Sequence, residues 1–132
     1  MAEKLFLEVV TPQKAIVSEE VEIVVAPGSD GEFGVLKGHT TFLTSLKIGT
    51  LRYKDTSGKE RYLFINGGFA EVLPDKVTIL AETAERRQDI DAQRATNAKE
   101  RAEKRLAEKR ENTDLARAEV SLRRAVHRLK IK

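Results

Sequence analysis

The uneven placement of glycine, proline and aromatic residues along the chain constrains its fold more than any other feature. All eight glycines and all three prolines lie at or before Pro74, and every phenylalanine and tyrosine lies at or before Phe69. The segment 85–132 consists mainly of alanine, arginine, glutamate, lysine and leucine, which favour helix. The sequence therefore predicts two architectures in one chain, a turn-rich segment 1–84 and a helical segment 85–132.

The charge divides at the same place. The formal net charge of the whole chain is +3. Basic residues outnumber acidic ones in 85–132, whereas 1–84 is slightly acidic. This contrast indicates the same division into two architectures.

The segment 1–84 has the pattern of an antiparallel β-sandwich or barrel. Short runs rich in β-branched and aromatic residues alternate with turn sequences such as Asp55-Thr56-Ser57-Gly58 and Pro74-Asp75. The pair Gly67-Gly68 inside an apolar stretch predicts a bulge or a close backbone approach, and we interpret Gly28–Gly34 as turns. The predicted strands are Lys4–Val10, Val21–Val25, Thr50–Lys54, Arg61–Ile65, Phe69–Leu73 and Lys76–Ala81.

The segment 85–132 predicts an antiparallel hairpin of two helices. Asp89 or Asp91 suits the N-cap of a first helix that reaches about Lys109, and Asn112-Thr113-Asp114 suits a turn before a second helix that ends near Leu129. Apolar residues follow helical spacing in both helices, at Ala95, Ala98, Ala102 and Leu106, then at Leu115, Ala118, Leu122, Ala125 and Leu129. Because alanine buries little area, we expect the hairpin to be marginal without the β-sandwich, a partner or a ligand.

Helical geometry also predicts a row of arginines along one side of this hairpin. At about 100° per residue, Arg94 comes near Arg128 at the open end of the hairpin, whereas Arg124 lies further round the back. The same side carries Arg101, Arg105 and Arg117. Such a row is typical of a solvated face, of a site for nucleic acid, of a contact with an acidic protein, or of a phosphate site. The glutamates between the arginines, and the lack of aromatic residues in 85–132, argue against a nucleic-acid site.

Catalytic and metal-binding patterns are missing from the sequence. The chain has no cysteine and only two histidines, and it shows neither a phosphate-binding loop nor a Ser-His-Asp arrangement. These absences favour a non-catalytic protein without a metal of its own. The sequence also shows no long apolar run and no secretory signal, so we expect a cytoplasmic protein.

Several motifs together resemble the epsilon subunits of bacterial F-type ATP synthases. They are Val10-Thr11-Pro12, Gly31–His39, Gly67–Val72 and Pro74–Leu80, in that order, although Thr41 stands where many members have proline. The resemblance implies a β-sandwich that binds the gamma subunit and the c-subunit ring, with Glu32, Gly38 and His39 as partner contacts. It also implies helices that reach the alpha and beta subunits and inhibit ATP hydrolysis when extended. The chain would be peripheral, at the cytoplasmic face of the cell membrane, and would touch the membrane only through the complex.

A narrower motif, Ile90-Asp91-Ala92-Gln93-Arg94-Ala95, resembles a pattern that marks ATP binding to the folded hairpin in some members of that family. The resemblance implies a regulatory ATP site, with magnesium undetermined. Its residues would be Glu85, Ile90, Asp91, Arg94, Ala95, Arg101, Arg124 and Arg128.

Two alternatives stay open at the level of sequence. The arginines could pair with Glu85, Glu100 and Glu119 and hold the hairpin shut without a ligand. The chain could also be a free-standing module whose basic hairpin binds nucleic acid, and such binding would weaken steeply with added salt. Whether the hairpin is folded or extended is not predicted.

Overall fold

The computed structural model describes residues 4–108 and 114–132. Within these residues, seven strands are followed by a short 3₁₀ helix and two α-helices. The strands are β1 Leu5–Val10, β2 Ala15–Gly28, β3 Gly31–Val35, β4 Phe42–Asp55, β5 Glu60–Leu73, β6 Lys76–Ala81 and β7 Ala84–Arg86. The helices are the 3₁₀ helix Arg87–Asp89, α1 Ala92–Glu108 and α2 Leu115–Ile131. A β-domain followed by a two-helix hairpin confirms the predicted fold class.

Five strands close into a hydrogen-bonded ring in the order β1-β6-β5-β4-β2, and β2 pairs with β1 again. The strand β3 extends the ring beside β2, and β7 adds to β5. All these pairs are antiparallel except β1 with β6, which is parallel. The predicted antiparallel sheet is therefore right for every pairing but that one. Alternate side chains point inward and fill the barrel with fully buried residues such as Leu7, Leu51 and Leu63.

The strands β4 and β5 are longer than the sequence predicts, because Gly67-Gly68 does not interrupt β5. Their pairing runs in one register from Phe42 opposite Val72 to Lys54 opposite Glu60, without a bulge. Gly68 has a φ of +132°, and a Cβ there would collide with the carbonyl oxygen of Leu80. The close backbone approach, one of the two predicted alternatives, is what requires glycine here.

The interpretation of Gly28–Gly34 as turns was wrong for most of its length. The turn is confined to Ser29 and Asp30, and Gly31–Val35 forms β3 against β2. The segment is short and rich in glycine, which hides its alternation. Val35 is buried, whereas Glu32 is exposed.

The two helices pack along a seam of small residues. Asp91 caps α1 by accepting the backbone N–H of Arg94, and Asp114 caps α2 in the same way. Four alanines are buried at the seam, namely Ala95, Ala102, Ala118 and Ala125. Leu115, predicted to join the stripe, is 40% exposed. The predicted helix end at Lys109 and the predicted turn residues 112–113 lie outside the described residues.

The hairpin is folded down against the barrel. Ile131 at the end of α2 and Ile90 before α1 are buried with Phe64 of β5, and Ile48 and Tyr62 pack around them. We call Phe64, Ile90 and Ile131 the docking cluster. No helix in the described portion of the chain combines the length and the apolar composition needed to cross a membrane.

Candidate functional site

A cavity of about 400 Å³ lies where the two helices meet β7. Six of the eight residues predicted to bind ATP line it, and Asp89 and Ala98 complete the wall. The six are Glu85, Asp91, Arg94, Ala95, Arg101 and Arg128. We call this space the arginine cavity. The structure therefore brings together most of the set that the motif and the helical geometry indicated.

The start of α1 fixes one wall of the arginine cavity. The carboxylate of Asp91 accepts the backbone N–H of Arg94 at 3.0 Å, which sets where the helix begins. Arg94 and Arg101 are seven residues apart, close to two helical turns, so both side chains leave α1 on the same face. The buried Ala95 between them leaves room for a ligand, because its side chain is a single methyl group.

Arg128 of α2 forms the opposite wall and is already engaged. Its Nη2 and Nε donate to Oε1 of Glu85 at 2.8 and 2.9 Å. The guanidinium carbon also lies 4.4 Å from the ring centroid of Phe64, in a cation–π contact. A pair with Glu85 was one of the contacts predicted for a hairpin that is held shut without a ligand. Among the described residues, the arginines of the cavity form no ion pair with Glu100 or Glu119.

The formal charges that line the arginine cavity cancel. Its three arginines face the carboxylates of Glu85, Asp89 and Asp91. Arg94 and Arg101 are nevertheless exposed and have no ion-pair partner among the described residues. The cavity thus contains two guanidinium groups without an ion-pair partner among the described residues, those of Arg94 and Arg101, and a third, that of Arg128, which pairs with Glu85. Guanidinium groups suit the phosphates of a small anionic ligand.

Ile90 and Arg124, the other two predicted binding residues, do not line the cavity. The Ile90 side chain is 3% exposed and belongs to the docking cluster, so it fixes the segment before α1. Arg124 is half-buried, and its Nε is buried without a hydrogen-bond partner among the described residues. Arg105 and Arg117 of the predicted row are exposed and lie outside the cavity lining.

The predicted partner contacts occupy two places on the barrel. The carboxylate of Glu32 on β3 accepts a hydrogen bond from each terminal nitrogen of Arg52, with N···O distances of 3.1 and 3.2 Å. Gly38 and His39 share the turn after β3, where Gly38 has a φ of +87° and donates its N–H to the carbonyl oxygen of Pro74. This hydrogen bond ties the turn to the β5–β6 connection. All three residues lie at the surface, since even His39 is only half-buried.

Sequence reasoning missed an apolar outer face on β4, β5 and β6. Leu43 is 71% exposed, Phe69 57% and Leu80 53%, and Phe69 pairs directly with Leu80 across the strands. A groove of about 620 Å³ beside them reaches Val10 and Pro12. We call this surface the apolar face. The alternation of the strands contained the signal, because Phe69 points away from the side of the buried Ala70.

Two family models together match residues 4–132. The model described as ATP synthase, Delta/Epsilon chain, beta-sandwich domain matches residues 4–87. The model described as ATP synthase, Delta/Epsilon chain, long alpha-helix domain matches residues 88–132.

Curated proteins and a solved structure agree with this match. The chain is 67% identical over 131 residues to an ATP synthase epsilon chain of Desulforapulum autotrophicum, covering 99% of this chain and 97% of that one. It is 53% identical over 132 residues to an ATP synthase epsilon chain of Nitratidesulfovibrio vulgaris, covering 100% and 98%. Its fold is similar to a chain in the cryo-EM structure of Euglena gracilis mitochondrial ATP synthase, OSCP/F1/c-ring. That likeness has a TM-score of 0.80 and 26% identity, over 93% of this chain and 78% of the other.

Proposed function

The chain belongs to the delta/epsilon chain family of ATP synthases, and we propose that it is a non-catalytic central-stalk subunit that couples the rotor and regulates ATP hydrolysis. The observation that carries this proposal is a barrel with an uncovered apolar face, joined to a weakly packed hairpin that is folded down. The subunit would act at the cytoplasmic face of a bacterial membrane, which it would reach only through the complex. No described feature favours the nucleic-acid alternative, and full-length relatives named ATP synthase epsilon chains argue against it.

We propose that the barrel docks on the gamma subunit through the apolar face. Leu43, Phe69 and Leu80 lie on neighbouring strands, and grouped exposed apolar side chains mark protein–protein contacts. The turn with Gly38 and His39, together with Glu32, would contribute further contacts, including those with the c ring. Coupling would follow from being fixed to both partners at once.

Co-purification from native membranes tests this docking. Phe69→Ser should reduce the amount of the chain recovered with the ATPase complex, because it removes apolar area from the centre of the apolar face. Val126→Ser is the matched control, since Val126 is an apolar side chain of α2 that is 41% exposed outside this face. Recovery of Phe69→Ser equal to that of the unsubstituted chain would show that gamma binds elsewhere.

We propose that the hairpin is a two-state regulatory element. Folded down, it buries the alanine seam and the docking cluster. Extended, its roughly 45 residues would span up to about 70 Å, enough to run beside gamma toward the alpha and beta subunits. Deletion of residues 88–132 should therefore raise ATP hydrolysis by the assembled enzyme and leave assembly intact. Unchanged hydrolysis, under conditions in which the intact subunit inhibits, would exclude the regulatory role.

We propose that the arginine cavity binds ATP without hydrolysing it. Arg94 and Arg101 supply uncommitted donors for the phosphates, and Arg128 would share its donors between Glu85 and the ligand. Arg124 would join only if its buried Nε turned toward the cavity, and Ile90 would act by holding the segment before α1. ATP that binds only the folded hairpin shifts the equilibrium toward that state, by about 4 kcal/mol at a thousand times its Kd.

Isothermal titration of the isolated protein with ATP tests this site. We expect Arg94→Ala to weaken ATP binding by about tenfold or more, because it removes a charge-assisted hydrogen bond. Arg105→Ala is the control, since it removes the same charge from the same helix outside the cavity. Titrations with and without magnesium show whether the metal accompanies the nucleotide. Absence of binding heat at millimolar ATP, or equal affinity in both variants, would leave the arginines with a structural role only.

A further inference from the structure

A second cavity, of about 520 Å³, lies between the barrel and the C-terminal half of α2. Four basic side chains line it, and Glu32 is the only carboxylate in its described lining. The cations are Lys47 and Arg52 of β4, Arg87 of the 3₁₀ helix and Lys130 of α2. We call this space the junction cavity. We propose that the junction cavity is a separate site for a small phosphate-type oxyanion, which would hold the hairpin to the barrel.

Most of the positive charge in the junction cavity is uncompensated. Glu32 is already used, because it accepts both terminal nitrogens of Arg52. Lys47 and Lys130 have no ion-pair partner among the described residues, and the Arg87 guanidinium lies 5.3 Å from the ring centroid of Tyr62. Like charges that share a partly enclosed space repel one another. A multivalent anion would relieve that repulsion and satisfy several donors at once.

His127 supplies a second observation within the same wall. Its Nδ1 is buried and has no hydrogen-bond partner among the described residues. Burial, and then the charges of Lys130, Arg123 and Lys47, lower the pKa of His127 below its ordinary value. A bound anion would reverse this effect, because negative charge favours the protonated imidazole. Protonated His127 would then donate a hydrogen bond to the anion.

The junction cavity and the arginine cavity are distinct. They share no lining residue. Lys130 follows Arg128 by two positions, so their side chains point about 200° apart around α2. The donors of the junction cavity come from the barrel on one side and from α2 on the other, so an anion there would bind only the folded hairpin. Oxyanion binding in the junction cavity is therefore independent of ATP binding in the arginine cavity.

Titration of the full-length protein with inorganic phosphate, at constant ionic strength in a chloride background, tests the proposal. We expect saturable NMR shifts of the His127 imidazole and a rise in the pKa of His127. Lys130→Gln and Lys47→Gln should each weaken phosphate binding by about tenfold, because each removes one charge-assisted contact. Lys37→Gln, which removes the same charge from an exposed loop, should leave the affinity unchanged. The two test variants lie on opposite walls, so a loss in both does not reduce to altered packing of α2.

Three results would overturn the proposal. The first is that phosphate causes no saturable NMR shift of the His127 imidazole beyond the shift that chloride causes. The second is equal affinities in the variants Lys130→Gln, Lys47→Gln and Lys37→Gln. The third is phosphate binding that Arg94→Ala abolishes and ATP displaces, since the phosphate would then occupy the arginine cavity. Arg94→Ala with unchanged phosphate binding would support two separate sites.

Discussion

The barrel and the hairpin are stabilised by very different amounts of buried side chain. The barrel encloses large residues with no exposed area, such as Leu51, Leu63 and Ile79. The hairpin seam buries four alanines, which contribute much less at about 25 cal/mol per Å² of apolar surface. Segments with few buried apolar contacts open most readily, so the hairpin is the region of the molecule suited to change its state.

A few apolar and polar contacts attach the hairpin to the barrel. The docking cluster supplies the apolar contacts, and the ion pair between Arg128 and Glu85 supplies a polar one. Lys132 adds hydrogen bonds from its Nζ to the carbonyl oxygens of Arg87 and Gln88. These contacts lie at the end of α2, which there meets β4, β5, β7 and the segment 87–90. A few substitutions there should separate the hairpin from a barrel that stays folded.

Separating the two regions gives the largest expected effect. Residues 1–87 alone should keep a β-type circular dichroism spectrum and unfold cooperatively, because the barrel core is complete within them. Residues 88–132 alone should lose most of their helical signal, since isolated helices of this length are marginal in water. An unfolded 1–87 fragment would show that the barrel depends on the hairpin, and that the division at 84/85 is misplaced.

Truncation of a buried side chain should cost more in the barrel than in the hairpin seam. Leu63→Ala should lower the free energy of unfolding of the barrel by about 2–5 kcal/mol, because it leaves a cavity among fully buried neighbours. Ala118→Gly in the seam should cost about 1 kcal/mol, through backbone entropy and lost helix propensity. Urea unfolding followed by near-ultraviolet and far-ultraviolet signals measures both. Equal costs would contradict the contrast drawn between barrel and hairpin.

A substitution in the docking cluster should loosen the hairpin alone. Ile131→Ala removes a side chain that is 6% exposed against Phe64, and should weaken docking by about 2 kcal/mol. Amide hydrogen exchange should then become faster in α1 and α2 while barrel amides keep their protection. Val126→Ala, at a more exposed site of the same helix, is the control. Faster exchange throughout the barrel would show that the barrel and the hairpin unfold together.

The smallest expected effect is a pH dependence of docking through His127. Burial lowers the pKa of His127 in the folded-down state, so the undocked state binds the proton more tightly. Docking should therefore be strongest above pH 6.5 and weaken as the pH falls from about 6.5 through the lowered pKa. The charges of Lys130, Arg123 and Lys47 also oppose the proton, and the cavity that His127 lines contains three further charged groups, Arg52, Arg87 and Glu32.

Hydrogen exchange of α2 between about pH 7.5 and about pH 5.5, corrected for intrinsic rates, measures this dependence. His127→Gln should remove it, and His39→Gln should leave it unchanged. Persistence of the dependence in His127→Gln would assign it to another group.

Periodic features of the fold were predictable from the sequence, whereas features set by distant pairings were not. Arg94, Arg101 and Arg128 meet because helical spacing and an antiparallel hairpin fix their angles. The parallel pairing of β1 with β6 joins segments that are far apart along the chain, and no local pattern indicates it.

The burial of Ile90 was equally hidden, because it depends on how the hairpin meets Phe64. The same holds for the junction cavity, whose wall combines residues from β3, β4, the 3₁₀ helix and α2. Local spacing can place a side chain on one face of its own helix or strand. It cannot say which other element will cover that face.

The closed ring of five strands has a mechanical consequence. In an open sheet, one strand can slide past its neighbour and change only their shared register. Around a closed ring the register offsets add up to a fixed shear, so a slip between one pair of strands must be matched by a slip between another pair. A twisting load on the barrel is therefore shared by all five strand pairings of the ring. The barrel should turn as a stiff body, and compliance should be confined to its junction with the hairpin.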